Sequence, residues 1–205
     1  MKKVILSLVV VATILVSCKG KEDKKVVVKE AKKVETVVVE NNVNVAESVM
    51  LWKGFKPTGS HNGTVKLSSG AMSVSNGVIS GEFVIDMSSI ADADGSTRLE
   101  GHLKNADFFD VEKYPTSKFV ITSSEVKDGK VQVTGNLTIK DVTKSITIPA
   151  TIIDVDGVLT FKSETFELNR ADFNVKYGSK SFFGNLKDKF INDNMEMSFK
   201  VKGTK

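Results

Sequence analysis

Three Asx-Gly dipeptides, Asn76-Gly77, Asp128-Gly129 and Asp156-Gly157, each sit between two runs of alternating apolar and polar residues. Asn or Asp followed by Gly accepts the positive φ angles of two-residue turns whose twist matches that of paired strands. The flanking runs carry the matching period of two. Phe83, Ile85 and Met87 alternate with Glu82 and Asp86, and Val131, Val133, Leu137 and Ile139 share a parity across Gly135. Ile146, Ile148 and Ile152 do the same. From Met50 onward the chain therefore reads as an all-β, up-and-down antiparallel sheet.

One segment breaks the pattern. Ser96 to Asn105 is helix-compatible, with Leu99 and Leu103 four apart on one face and Ser96 placed as an N-cap. Pro115 forbids helical continuation into the strand that begins near Lys118. The architecture expected is a closed antiparallel β-barrel of about eight strands, with this short helical insertion over one end. Closure also removes exposed sheet edges. The interior of such a barrel is either filled by side chains or just wide enough for one small ligand. Composition leaves both open.

Motifs along the body point further. His102-Leu103-Lys104-Asn105-Ala106-Asp107-Phe108-Phe109-Asp110 runs on through Tyr114-Pro115 to Phe119. Gly135-Asn136-Leu137-Thr138-Ile139-Lys140-Asp141-Val142-Thr143-Lys144 follows, then Ile148-Pro149. Trp52-Lys53-Gly54 and His61-Asn62-Gly63 lie upstream, and Tyr177-Gly178-Ser179 and Phe182-Phe183 lie near the C-terminus. In this order, over residues 48 to 203, the chain closely resembles the YceI-like family of bacterial lipid-binding proteins. The resemblance implies an extended lipocalin-like barrel holding a polyisoprenoid or similar amphiphile in an elongated apolar lumen. Ala91-Asp92-Ala93-Asp94-Gly95 is more acidic than the Thr-rich stretch often found there, and Asn169-Arg170-Ala171 stands where many relatives carry Asp-Arg-Thr. These departures leave the fold intact and loosen any assignment of a polar head-group site.

The N-terminal end reads as a targeting segment. Lys2 and Lys3 precede an apolar run from Val4 to Val16, which Leu15-Val16-Ser17-Cys18 closes as a lipobox. The run is too short to cross a bilayer comfortably, so residues 1–17 are expected to be a cleaved lipoprotein signal peptide. Cys18 is the sole cysteine, which excludes an internal disulfide and makes it the expected lipidation site. More than one acyl chain gives stable anchoring where one is marginal. Residues 18–47, rich in Lys, Glu and Val without aromatics, are expected to be the lipidated cysteine and a flexible stalk. The Val26–Val28 and Val37–Val39 triplets argue the other way, since they suit short β pairing. Residues 48–205 form the expected barrel domain. Lys21-Glu22-Asp23 resembles the lysine-plus-acid signal of some surface lipoproteins, and reads equally as charged linker. The localisation expected is the cell envelope, lipid-anchored at the outer membrane, on its periplasmic or surface face.

The formal charge of +4 falls to about +2 once Lys2 and Lys3 leave with the signal. A nearly balanced surface lacks the concentrated basic face of a nucleic-acid binder, so no nucleic-acid partner is expected. The Lys176–Lys189 stretch, interrupted by Asp188 and aromatics, reads as a solvated rim. A homodimer is compatible with the sequence.

The larger apolar residues of inward parity, Phe83, Ile85, Phe119, Ile121, Leu137, Ile139, Ile146, Ile148 and Phe161, joined near the ends by Trp52, Phe173 and Phe183, are the candidate ligand-binding set. Each of them alone is also what an ordinary barrel core would hold. As a set they would offer a hydrocarbon chain dry dispersion contacts. At about 0.8 kcal/mol per methylene, ten methylenes yield about 8 kcal/mol, or roughly micromolar binding before association costs. Phe108, Phe109, Tyr114 and Pro115 form an apolar corner that either gates the lumen or plugs it. Arg170 either ion-pairs with Asp172 or meets a ligand head group. His102 is expected to make a structural hydrogen bond, and His61 to sit in a loop beside a turn. Two histidines without an acidic cluster make a poor metal signature, so no metal is expected.

Two functions follow from different classes. One is an envelope lipoprotein that holds an amphiphile, such as a polyisoprenoid, isoprenoid quinone or fatty acid derivative, for sequestration or transport. The other is a surface adhesion or structural module with a filled barrel core. An enzyme is not expected. The sequence carries no Gly-x-Ser-x-Gly, His-Glu-x-x-His or phosphate-binding Gly-Lys-Ser/Thr motif. No cofactor is expected either, a bound isoprenoid or acyl lipid counting as ligand.

Overall fold

The computed structural model describes residues 24–32, 42–127 and 130–204. The expected signal peptide, Cys18 and the Asp128-Gly129 turn lie outside them. The barrel wall is built from β2 (Val49–Lys56), β3 (Gly59–Ser75), β4 (Val78–Asp92) and β5 (Thr116–Lys127). It continues through β6 (Lys130–Ile139), β7 (Val142–Val155), β8 (Val158–Ser163) and β10 (Asn194–Lys202). Each pairs antiparallel with the next, and β10 returns to β2, so eight strands close on themselves. Two short strands, β1 (Val28–Glu30) and β9 (Phe166–Asn169), pair with β7 and β10.

The turns behave as their residues dictate. Asn76 and Gly77 have φ of 51° and 77°, and Asp156 and Gly157 have 54° and 82°, the positive pair a tight hairpin requires. The helical insertion is α1 (Thr97–Lys104), capped by Ser96, whose Oγ accepts from the Leu99 N–H at 3.3 Å. It lies over the end opposite the Asx-Gly turns, on the long connection from β4 to β5.

The interior has two unlike halves. Toward the Asx-Gly turns it is filled: Met72, Ile79, Val133 and Phe161 are almost wholly buried. Phe161 stacks on Phe83 with ring centroids 5.9 Å apart and meets Phe199 edge-on at 4.9 Å. This aromatic layer is the floor of a hollow upper half. Register shifts in β3–β4 (Thr64/Lys66 and Leu67/Ser69) and in β5–β6 (Ile121/Ser123) interrupt the even pleat. Such shifts add local twist to the strands they interrupt.

The wall is not closed by long strands alone. β8 reaches only Lys200–Lys202 of β10, and β9 takes Asn194–Met197. In the upper half this leaves a seam between β9 and the first half of β7. Residues 24–30 fill it. The Val26 N–H donates to the Glu167 carbonyl at 3.1 Å, and the Glu167 N–H donates to the Lys24 carbonyl at 2.7 Å. β1 then runs antiparallel to β7, with Val28 opposite Ile146 and Glu30 opposite Lys144. Lys144 Nζ meets Glu30 Oε1 at 2.6 Å, and the Asn136 side-chain amide exchanges two hydrogen bonds with the Lys32 backbone.

This corrects part of the stalk expected over 18–47. Residues 24–32 and 42–47 belong to the barrel, with Val26 buried and Val43 bridging Gly203. The physical reason is the open edge of β7, a row of backbone groups that templates any adjacent extended segment. Composition cannot reveal such an edge.

Candidate functional site: an apolar cavity beneath the helical connection

The inward residues of the upper half enclose a cavity of about 380 Å³. β3 supplies Val65 and Leu67, β4 supplies Phe83, Ile85, Met87 and Ile90, and β5 supplies Phe119. β6 and β7 add Leu137, Ile139, Ile146 and Ile148. The opposite wall is Phe166 and Leu168 of β9 with Met195, Met197 and Phe199 of β10. Unbranched methionines on one wall can re-pack around ligands of different shape.

The β4–β5 connection roofs it. Leu99 and Leu103 of α1 face the cavity with Phe108 and Phe109. Phe108 is held on three sides: Lys140 Nζ donates to its carbonyl at 3.1 Å, His102 packs edge-on at 5.0 Å, and Tyr177 lies at 5.3 Å. The Met87 N–H donates to the Pro115 carbonyl at 3.0 Å, tying the far end of the connection back to β4. The roof is thus a packed lid, not a loose loop.

Polar groups on the cavity are few. Lys56, His61, Lys189 and Asn192 stand on its rim, and Ser117 lies in the wall with a buried Oγ that has no hydrogen-bond partner. Arg170 is buried at 4% exposure, yet its donors point at protein. Nε donates to the Asn192 carbonyl at 3.0 Å, Nη1 to Val175 at 2.8 Å, and Nη2 to Ile191 at 3.1 Å. Nη2 also faces Asp193 Oδ1 at 3.5 Å. Burial pushes the guanidinium below its usual range, and Asp193 opposes that shift. Of the two roles read for Arg170, an ion pair with Asp172 is corrected: the partner is Asp193. Its hydrogen bonds pin the 170–193 connection beside the mouth.

A family model for the YceI-like domain matches residues 29–203. The chain belongs to the YceI-like family. A UPF0312 protein of Pseudomonas putida is 42% identical over 82 residues, covering 37% of this chain and 42% of its own. Protein YceI of Escherichia coli O6:H1 is 35% identical over 85 residues, covering 39% of this chain and 44% of its own. These alignments thus span about two fifths of the curated relatives' length. Among solved structures, Burkholderia cenocepacia BcnA aligns with TM-score 0.67 at 25% identity, covering 80% of this chain and 100% of its own. A polyisoprenoid-binding domain from Saccharophagus degradans aligns with TM-score 0.59 at 13% identity, over 82% of this chain and 100% of its own. At that identity the likeness shows the fold alone.

Within this YceI-like barrel, Trp52, Phe83, Ile85, Phe119, Leu137, Ile139, Ile146 and Ile148 line the cavity. Four candidates do not. Ile121 is buried beside the β5–β6 register shift, toward the filled end. Phe161 belongs to the aromatic floor but does not reach the cavity surface, and Phe173 is wholly buried in a short helical turn, Arg170–Phe173. Phe183 is 50% exposed on the 174–193 connection. Sequence reading missed the β9 and β10 wall, although Met195, Met197 and Phe199 alternate with Glu196 and Ser198. His61 sits in β3 opposite Gly54, not in a loop, and Asp92 and Asp94 lie beside it. The acidic neighbours judged missing from sequence are therefore present in space. His102 packs against aromatic rings and faces Asp107 at 3.6 Å, beyond hydrogen-bonding distance.

Gly135 shows how tightly one wall is set. A Cβ there would overlap the Phe119 ring and come within 2.8 Å of the Val120 carbonyl. Gly135→Ala is expected to lower stability by about 1–3 kcal/mol, the usual range for overpacking. A urea midpoint unchanged by the substitution would mean Phe119 does not occupy that seat.

Proposed function

We propose that this protein is a lipid-anchored envelope carrier that holds the apolar part of an amphiphile inside the barrel. The observation that carries this reading is the cavity: about 380 Å³, walled mostly by aliphatic, methionine and aromatic side chains, with the buried Arg170 guanidinium hydrogen-bonded to protein carbonyls. Its size falls at the lower end of small-molecule sites, about 300–1,000 Å³. Such a wall retains a hydrocarbon tail by burial alone, at about 0.8 kcal/mol per methylene. The polar head then rests among Lys56, His61, Lys189 and Asn192. The polyisoprenoid-binding character of the Saccharophagus degradans domain supports an isoprenoid or acyl lipid as cargo. The Leu15–Cys18 lipobox supports lipidation at Cys18 and an outer-membrane location for the barrel. A filled-core surface module would have had no cavity of this size.

The test exploits the hollow. Leu67→Trp places bulk in empty space, so folding stability is expected to stay within about 1.5 kcal/mol of the parent. Affinity for a fluorescent fatty acid, and displacement of that probe by a prenyl alcohol, should fall at least about tenfold. A variant that folds and binds both like the parent sinks the proposal.

A further inference from the structure

His61 ends its imidazole beside the turn that leads from β4 into α1. Its Nδ1 lies 3.9 Å from Asp92 Oδ1. Both atoms are buried and neither has a hydrogen-bond partner. The Asp92 side chain is 1% exposed. Its other oxygen is committed, accepting from the Ser96 N–H at 3.1 Å, so the unpartnered Oδ1 is the one aimed at His61. Two buried polar atoms left facing each other without a bond are costly, and such groups call for an explanation.

The separation is informative. It is too long for a direct hydrogen bond, which needs about 2.7–3.2 Å. Two ligand atoms at about 2.0–2.1 Å from one tetrahedral ion sit roughly 3.3–3.4 Å apart, so the pair would close by about half an ångström on binding. A third donor is at hand: one ligand atom each from His61, Asp92 and Asp94 lie within 4.8 Å of one another. Asp94 is exposed, so its side chain is free to rotate inward.

We propose that His61, Asp92 and Asp94 form a binding site for a divalent transition-metal ion, with zinc the best match. One imidazole and two carboxylates are borderline-to-hard donors that suit zinc or manganese better than a soft monovalent ion. Three protein ligands leave a coordination position open, and His61 also lines the cavity. The open position is filled by water, or by an oxygen of whatever the cavity holds. The ion would link β3 to the β4–α1 turn, fastening the lid's first hinge to the wall. The proposal does not depend on the cargo.

The experiment is titration of the metal-stripped full chain with zinc chloride by calorimetry, with NMR of the two histidine rings. The expected result is one zinc per chain, a perturbed His61 ring and an unperturbed His102 ring. His61→Gln and Asp94→Asn alter groups with exposed surface, so both variants should fold, and each should weaken binding by roughly tenfold or more. Asp92→Asn should do the same, with circular dichroism reporting whether the α1 turn survives. Binding that persists in His61→Gln and Asp94→Asn, or that perturbs His102 instead, overturns the site. So does the absence of saturable binding at millimolar zinc, which would leave a bridging water between His61 and Asp92.

Discussion

Removing residues 1–32 is expected to destabilise the barrel by about 4 kcal/mol relative to a chain that begins at Lys19. Val26 is buried at 7% exposure and Val28 packs against the same core. Full burial of such a side chain contributes about 1.5–3 kcal/mol, and each hydrogen bond along the strap adds about 0.5–1.5 kcal/mol net. The deletion also exposes the backbone edges of β7 and β9, a template for aggregation. The functional effect follows from position. Ile146, Phe166 and Leu168 flank the seam and line the cavity. Cargo escape should therefore accelerate by about tenfold or more, equivalent to ~1.4 kcal/mol of lost retention. Urea unfolding and probe dissociation measure the two effects separately. Equal stability with and without the strap would mean residues 24–32 are mere linker.

Arg170→Met should lower stability by about 3–5 kcal/mol, the range for breaking a buried charged pair by removing one member. Methionine keeps much of the length but none of the donors. The carbonyls of Val175, Ile191 and Asn192 and the Asp193 carboxylate then lose the group that holds them together. Phe108 loses the guanidinium 5.7 Å from its ring as well. Because Ile191 and Asn192 border the cavity, cargo affinity should fall with stability. Asp172→Asn serves as the control, since Asp172 is not an Arg170 partner, and it should stay near the parent. Thermal unfolding of both variants checks the pair. An Arg170→Met protein as stable as the parent would remove Arg170 from the framework of the mouth.

The sequence showed the barrel more clearly than the cavity. Hairpin chemistry is local: Asn76-Gly77 and Asp156-Gly157 needed no partner to be recognised, and Ser96 announced the α1 cap. The alternation in β4, β6 and β7 placed Phe83, Leu137 and Ile146 inward correctly. Parity, however, reports which face a residue takes and not how far along the barrel it lies. Phe161 and Ile121 share the inward face with Phe83, yet they fill the lower half while Phe83 floors the upper. That distinction depends on which strands stop short, and β8 is only six residues long. His61, Asp92 and Asp94 were equally hidden. They come together only because β3 and β4 pair antiparallel, setting Gly63 opposite Asp92. Gly63 itself marks the closeness of that pairing, since a Cβ there would overlap the Ala91 carbonyl oxygen.

Native mass spectrometry of the chain from Lys19 onward, produced in a bacterial periplasm, decides whether the barrel carries a lipid. The expected spectrum shows a single added mass in the range of a prenyl or acyl lipid, released by solvent extraction and restored by adding the extract back. Leu67→Trp should carry little or none of it. A protein that emerges ligand-free, and stays so after incubation with quinones, polyprenols and fatty acids, would contradict the carrier reading and leave the cavity without a cargo.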